Sequence, residues 1–469
     1  MSAEMVGLSI ILIGILLIVG KWIRVRFSVF QKYFLPSSIL GGFIALILGP
    51  EVFGKLIGQS QGNSSLLSNG VFPEDVLSTW LTLPGLLISV IFATLFLGKK
   101  IPNIKDIWLT TGPQVSFGQT VAWGQYVFGL LLTITLLTPF FGINPMAGAL
   151  IEIGFEGGHG TSAGLSETFQ QLGFADGANL AIGLATVGVV SGVVTGIILI
   201  NIAVKKNKTN ILKDPNNLPE DKLRGIIKPD DRPSAGKMTT QPESIEPLAL
   251  HIAIIGVAIL AGKALLEALI YVESITWGAW TDTEILTHLP LFPLAMVGGV
   301  ILQILIDKTG KFNLIDRKMI LRIQGLALDF LIVSAIATLS LTVIGENFLP
   351  FLLLALTGIT WNIIAFIFLA PRMIPENWFE RGIGDYGQSM GMTAAGLMLI
   401  RIADSKGETK ALEAFGYKQL MFEPLVGGGL FTAASLPLIY EFGPVPILFL
   451  CLAIMIVWLI VGIFYFGKK

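Results

Sequence analysis

Apolar residues along this chain come in runs of about 20, separated by short polar stretches, which is the length a helix needs to cross a bilayer. The runs predict eleven helical spans, near 5–20, 34–49, 76–97, 112–138, 178–204, 248–271, 289–306, 319–344, 348–370, 419–440 and 443–466. Two Gly-rich stretches, 146–168 and 383–402, are too interrupted to count as ordinary spans. The first run, "SAEMVGLSIILIGILLIVG", is followed rather than preceded by Lys21, Arg24, Arg26 and Lys32. A removable signal peptide has the opposite order, so this helix is expected to stay, with the N-terminus outside.

Composition agrees. The 469 residues are 53% hydrophobic and 13% charged, against about 25% charged in an ordinary soluble domain. The fold class is therefore an all-α polytopic membrane protein. A net charge of −1 gives no field for nucleic acid, and the lone Cys451 excludes intrachain disulfides and cysteine-based metal clusters.

Charge bias orients the spans. With the N-terminus outside, and each Gly-rich stretch entering and leaving on one side, 29 of the 31 Lys and Arg fall in cytoplasmic segments. Those segments include 372–381 and 401–418, and the C-terminus is cytoplasmic. The outer loop 272–288 holds Glu273, Asp282 and Glu284 but no base.

An internal repeat matches this pattern. "GGFI" at 41–44 pairs with "GGVI" at 298–301, "FATL" at 92–95 with "IATL" at 336–339, and "TSAGL" at 161–165 with "TAAGL" at 393–397. The order is kept, with offsets of 257, 244 and 232. The predicted domains are a first repeat, 1–204, a polar cytoplasmic linker, 205–247, a second repeat, 248–440, and an added C-terminal helix, 441–469. Five spans per repeat give the halves opposite orientation. Interrupted segments at matching places in two inverted halves are the pointer to a secondary transporter.

The candidate chemistry gathers at the interruptions. In "GFEGGHGTSAGL", Gly157, Gly158 and Gly160 free the backbone. Such backbone survives at membrane depth only where protein or a watery cavity satisfies it. Thr161 or Ser162 is expected to cap a short helix whose start faces a carboxylate. His159 and Glu156 stand beside it; the plain alternative is a tight turn with a packed histidine. The partner stretch offers Asp385, Gln388, Ser389 and Thr393. Asp329 lies ten residues into a span, roughly 15 Å deep, where an ionisable side chain is a functional hypothesis by default. Asn362 is a mid-span amide, and Gln119 and Gln125 are similar. Any of the three could instead brace helices. Lys263 and Glu267 are spaced to pair on one helix face.

Other patterns are discounted. Gly382-x-Gly384-x-x-Gly387 lacks the strand that a dinucleotide fingerprint needs, and "GVAILAGKA" is an apolar span rather than a phosphate loop. Gly188, Gly192 and Gly196 form a ridge for close helix packing. His159, His251 and His288 share no ligand spacing.

The block "GGHGTSAGLSETFQQLGFADGANLAIGLATVGVVSG", with "FATLFLGKKI" and "LPSSILGG", resembles bacterial sodium:glutamate symporters. That resemblance implies a multi-pass inner-membrane protein and not an enzyme. It implies Na+-coupled uptake of glutamate, a homodimer in lipid, and an elevator-like core moving against a scaffold. Na+ would be the coupling ion, with no other cofactor. On this reading Gly157, Gly158, His159, Gly160, Thr161, Ser162, Gln388, Ser389 and Thr393 line the substrate site. Asp329, Asn362 and Asp385 hold Na+, the first two suiting the substrate ammonium as well, with Glu156 beside them. The second stretch has no second Gly-Gly-His-Gly. A cation/proton antiporter using Asp329 and Glu156, a Na+ symporter for another organic anion, and a channel or membrane-embedded enzyme remain as alternatives.

Overall fold

The structure, a computed structural model, describes residues 3–32, 35–61, 70–99, 104–206, 208–209, 224–281, 286–310, 314–404 and 408–467. Within them it is helical, without strands. Residues 210–223 of the expected linker and 282–285 of the expected outer loop lie outside the described residues.

Ten helices are long and apolar enough to span a membrane. They are α1 Ala3–Arg26, α2 Ser37–Gln59, α3 Glu74–Thr94, α4 Thr111–Phe141, α5 Asp176–Lys205, α6 Pro247–Trp280, α7 Leu291–Lys308, α8 Arg317–Ala337, α9 Phe348–Phe368 and α10 Pro444–Phe466. Each covers one expected span. The exception is 419–440, which is two helices, Ala411–Phe422 and Leu430–Phe442, parted by non-helical 423–429. The break follows the local sequence: Gly427 and Gly428 both have positive φ, at 72° and 100°, which only glycine adopts cheaply.

The chain divides into two compact units, and each draws on both sequence halves. One comprises Met1–Ile101, Pro219–Ser274 and Pro290–Glu346; the other comprises Pro102–Leu218, Ile275–Leu289 and Asn347–Lys469.

In the first unit, Trp80 is fully buried among Ile13, Val76, Val333 and Ala337, and its indole Nε1 donates to the Ser9 carbonyl at 3.2 Å. The repeated motifs pack here by exchange. A Cβ on Gly41 would stand 2.8 Å from the Leu16 carbonyl oxygen of α1, and one on Gly298 2.8 Å from the Gly262 nitrogen of α6. So the first glycine of each pair meets the preceding long helix. The second glycine meets the other half: Gly42 faces Ile336 of "IATL", and Gly299 faces Ala93 of "FATL". Small residues let backbones approach this closely, and dispersion between them replaces the hydrophobic drive that lipid does not supply.

The second unit contains two helical reversals. In the first, Leu150–Phe155 turns through Gly158, φ 69°, into Gly158–Gly164. The Ser162 hydroxyl then donates back to the Ile153 carbonyl at 3.3 Å, although nine residues of straight helix would separate them by about 13 Å. In the second, Trp378–Ala403 keeps helical hydrogen bonding throughout. Yet a Cβ on Gly387 would lie 2.9 Å from the Gly396 Cα, again across nine residues. Both segments are therefore hairpins. The glycine ridge of α5 receives the second one: a Cβ on Gly192 would be 2.5 Å from the Met390 Cβ, and one on Gly196 2.6 Å from Leu399. The expected close-packing role of that ridge holds.

Candidate functional site

The tips of the two hairpins meet inside the second unit. Ser389 donates its hydroxyl to Glu156 at 2.5 Å. The Ser389 carbonyl accepts from Gln125 of α4 and from Asn362 of α9, both at 2.7 Å. Gln125 also donates to the Asn362 amide oxygen at 3.1 Å. All four side chains are buried. Their spacing is informative: Gln125 and Asn362 are 237 residues apart, between the repeat offsets 244 and 232. The two side chains touch each other.

Three buried oxygens in this neighbourhood have no hydrogen-bond partner: Glu156 Oε2, Gln125 Oε1 and Thr161 Oγ1. Buried polar atoms are normally paired, and leaving one unpaired costs about 1–3 kcal/mol. Each has a lone pair to offer, and oxygen is the ligand type that a hard cation prefers.

A second carboxylate, Glu152, locks the first hairpin to the broken helix. Its Oε2 accepts from the Tyr126 hydroxyl at 2.5 Å, and its Oε1 from the Gly427 N–H at 2.7 Å and Thr432 at 2.9 Å. Thr393, on the returning arm of the second hairpin, donates to Glu423 at 3.2 Å. The non-helical 423–429 segment thus touches both hairpins.

The third group centres on Asp385 and Lys418, both fully buried, with Nζ 3.2 Å from Oδ1. Lys418 also donates to the Gln388 amide oxygen at 2.9 Å. Gln388 and Gln419 exchange two further bonds, at 2.9 and 3.2 Å. The ammonium stands 3.8 Å above the Phe422 ring. Arg381, one turn before Asp385, is also buried and donates from Nε to Gln114 at 3.0 Å.

Most of the residues singled out by sequence therefore lie in one unit. Glu156, Ser389 and Asn362 join directly, and Gln388 and Asp385 join around Lys418. His159 Nε2 is 2.9 Å from the Thr186 hydroxyl on α5. Thr161 and Ser162 are not caps: the short helix starts at Gly158, and Gly157 is its cap position with no side-chain bond. The reason is steric, since the chain has already reversed at Gly158 before either hydroxyl is reached. Gly157 and Gly160 line the same turn. Asp329 lies in the other unit, on an exposed face of α8. Two bases in the segments expected to be cytoplasmic, Lys418 and Arg381, are buried, each against a polar partner inside the protein. Lys263 and Glu267 pair at 3.8 Å on one face of α6, as their spacing requires.

Sequence reasoning missed Lys418, Gln419, Tyr126 and Thr432. An acid in a Gly-rich apolar stretch does call for a cation, but nothing local to Asp385 says that it comes from 33 residues downstream.

Residues 86–400, about two thirds of the chain, match the family model described as sodium/glutamate symporter. The match takes in the first hairpin and all but the last three residues of the second, and ends before Lys418. The chain is also similar to a curated sodium/glutamate symporter from Haemophilus influenzae (strain ATCC 51907 / DSM 11121 / KW20 / Rd). That relative is 22% identical over 425 residues, covering 89% of this chain and 92% of the relative. Ten bilayer-length helices, two hairpins joined tip to tip and this match agree: the chain is a multi-pass membrane protein belonging to the sodium/glutamate symporter family.

Proposed function

We propose that this protein is a Na+-coupled symporter that imports glutamate or a closely related amino acid. The coupling ion binds where the hairpin tips meet. Glu156 supplies the carboxylate, and Gln125, Asn362 and Thr161 supply neutral oxygens, with Asp329 as a further carboxylate for the ion pathway. The glycine-rich turn 157–160 gives the substrate close access to backbone, with Ser162, His159, Gln388, Ser389 and Thr393 around it.

The observation that carries this reading is the Glu156–Ser389 contact at the hairpin tips, beside buried oxygens with unused lone pairs. An ion bound there would tie the two hairpins together, so filling the site and fixing the hairpins become one event. That is what coupling requires: the ion must favour one arrangement by its differential affinity. We further propose re-entrant hairpins, alternating access of an elevator kind and a homodimer. The division of the chain into two compact units supports the elevator part of this reading.

The test is uptake into liposomes carrying the purified protein. Labelled glutamate should accumulate under an inward Na+ gradient and not under a K+ gradient of the same size. Glutamate that stays outside under the Na+ gradient would rule the reading out, whereas Na+–H+ exchange without glutamate would favour an antiporter.

A further inference from the structure

Asp385 and Lys418 form the one ion pair among the described residues with both side chains fully buried. Burying two charges costs several kcal/mol per ion before their attraction is counted. Apolar packing often replaces a buried pair without loss of stability, so stability alone is a weak account of this one. The surroundings of the ammonium supply one. Its neighbours are a carboxylate oxygen at 3.2 Å, an amide oxygen at 2.9 Å and the face of a phenyl ring at 3.8 Å. Carboxylate and amide oxygens are what a hard metal cation takes, and an aromatic face attracts a cation of any kind. The Lys418 stem reaches this place over Gly118, where a Cβ would stand 2.6 Å from Cε; the missing side chain makes the channel for it. The ammonium hydrogen-bonds to Gln388, stands within ion-pair distance of Asp385 and faces the Phe422 ring, while both Asp385 oxygens keep lone pairs without a hydrogen-bond donor, as oxygens of a cation pocket do.

We propose that Lys418 is a tethered cation. It occupies a pocket formed by Asp385 and Gln388 that would otherwise bind Na+, so that the protein couples one Na+ fewer than the pocket's chemistry would require. This rests on the reading of the protein as a Na+-coupled transporter, and it replaces the sequence-based expectation that Asp385 itself holds Na+. The tether carries charge without drawing on the gradient, and it fixes Asp385 of the second hairpin to the helix Ala411–Phe422 through the whole cycle.

The test compares wild type, Lys418→Met and the double variant Lys418→Met/Asp385→Asn in liposomes, measuring labelled Na+ and glutamate fluxes together. Methionine keeps the volume and removes the charge. Lys418→Met should take up one more Na+ per glutamate than wild type, with steeper activation by Na+. The double variant should return to the wild-type ratio, because the pocket no longer holds a charge to be balanced. An unchanged ratio in an active Lys418→Met overturns the proposal. So does a raised KM for glutamate with unchanged Na+ activation, which would make Lys418 a substrate ligand. If Lys418→Met is inactive, the double variant decides: recovered uptake at the wild-type ratio supports the proposal, and a folded but inactive double variant overturns it. Absence of Na+-driven uptake in wild type would instead overturn the assignment of function.

Discussion

Glu152 accepts three hydrogen bonds through two oxygens, from Tyr126, Thr432 and the Gly427 N–H. Both oxygens are engaged, and the side chain is fully buried. Truncation to alanine would leave two hydroxyls and an amide buried without an acceptor, at about 1–3 kcal/mol for each. Glu152→Ala should therefore lower stability by roughly 3 kcal/mol or more, read as a fall in the thermal midpoint in detergent. Glu152→Gln, which keeps one oxygen acceptor, should lose less; equal losses would mean that the charge rather than the bonds matters. Glu156 is the contrast, because one of its oxygens is unpartnered. Glu156→Gln should change stability little and raise the Na+ needed for half-maximal uptake by about tenfold, equivalent to about 1.4 kcal/mol. Asp329→Asn should also weaken Na+ activation. If Na+ activation is unaltered there, Asp329 takes no part in ion binding.

The helix–helix contacts make a prediction of their own at the scale of elements. A Cβ on Gly192 meets Met390 of the second hairpin at 2.5 Å, whereas a Cβ on Gly256 of α6 meets nothing within 4 Å. Gly192→Leu should cost at least about 1–3 kcal/mol from overpacking and should reduce uptake by displacing the hairpin. Gly256→Ala should be neutral or slightly stabilising, by up to about 1 kcal/mol. Equal thermal midpoints for the two variants would contradict the packing described here.

The same comparison explains what could be read from the sequence. Ten helices were legible because the bilayer imposes one length and one polarity on each of them. The hairpins were legible through their glycines and the "TSAGL"/"TAAGL" pair. The break at 423–429 was not. "LVGGGLFTAASLPL" stays apolar while it leaves the helix, and hydropathy measures transfer out of water, not direction. The burial of Lys418 was not legible for a similar reason: counting charges assumes that every base is solvated, and its acid partner lies 33 residues away on another element. The joining of Glu156, Ser389, Asn362 and Gln125 depends on four elements meeting, which no local pattern encodes.

For the whole molecule, the distribution of Lys and Arg still makes a topological prediction. Cys451 is the only cysteine and is buried, so a Cys451→Ser background allows single reporters. Ser234 and Trp280 are both exposed, and Trp280 is 86% accessible. A cysteine at 234 should react with a membrane-impermeant reagent only from the cytoplasmic side, and one at 280 only from outside. Labelling of both from one side would overturn the orientation.

The exchanged glycine pairs also bear on how the protein is made. Gly42 emerges early and needs Ile336 as its neighbour. At about 5–20 residues per second, Ile336 follows roughly 15 to 60 s later. Throughout that wait the first half sits in the lipid with an open seam of small residues, and Gly299 finds Ala93 already waiting for it. Neither compact unit can close from the first half alone. Residues 1–218 and 219–469 made as separate chains should each be degraded when alone and accumulate when made together. The late partner thus acts as a checkpoint on synthesis, because a chain that stops short exposes a seam that quality control can recognise.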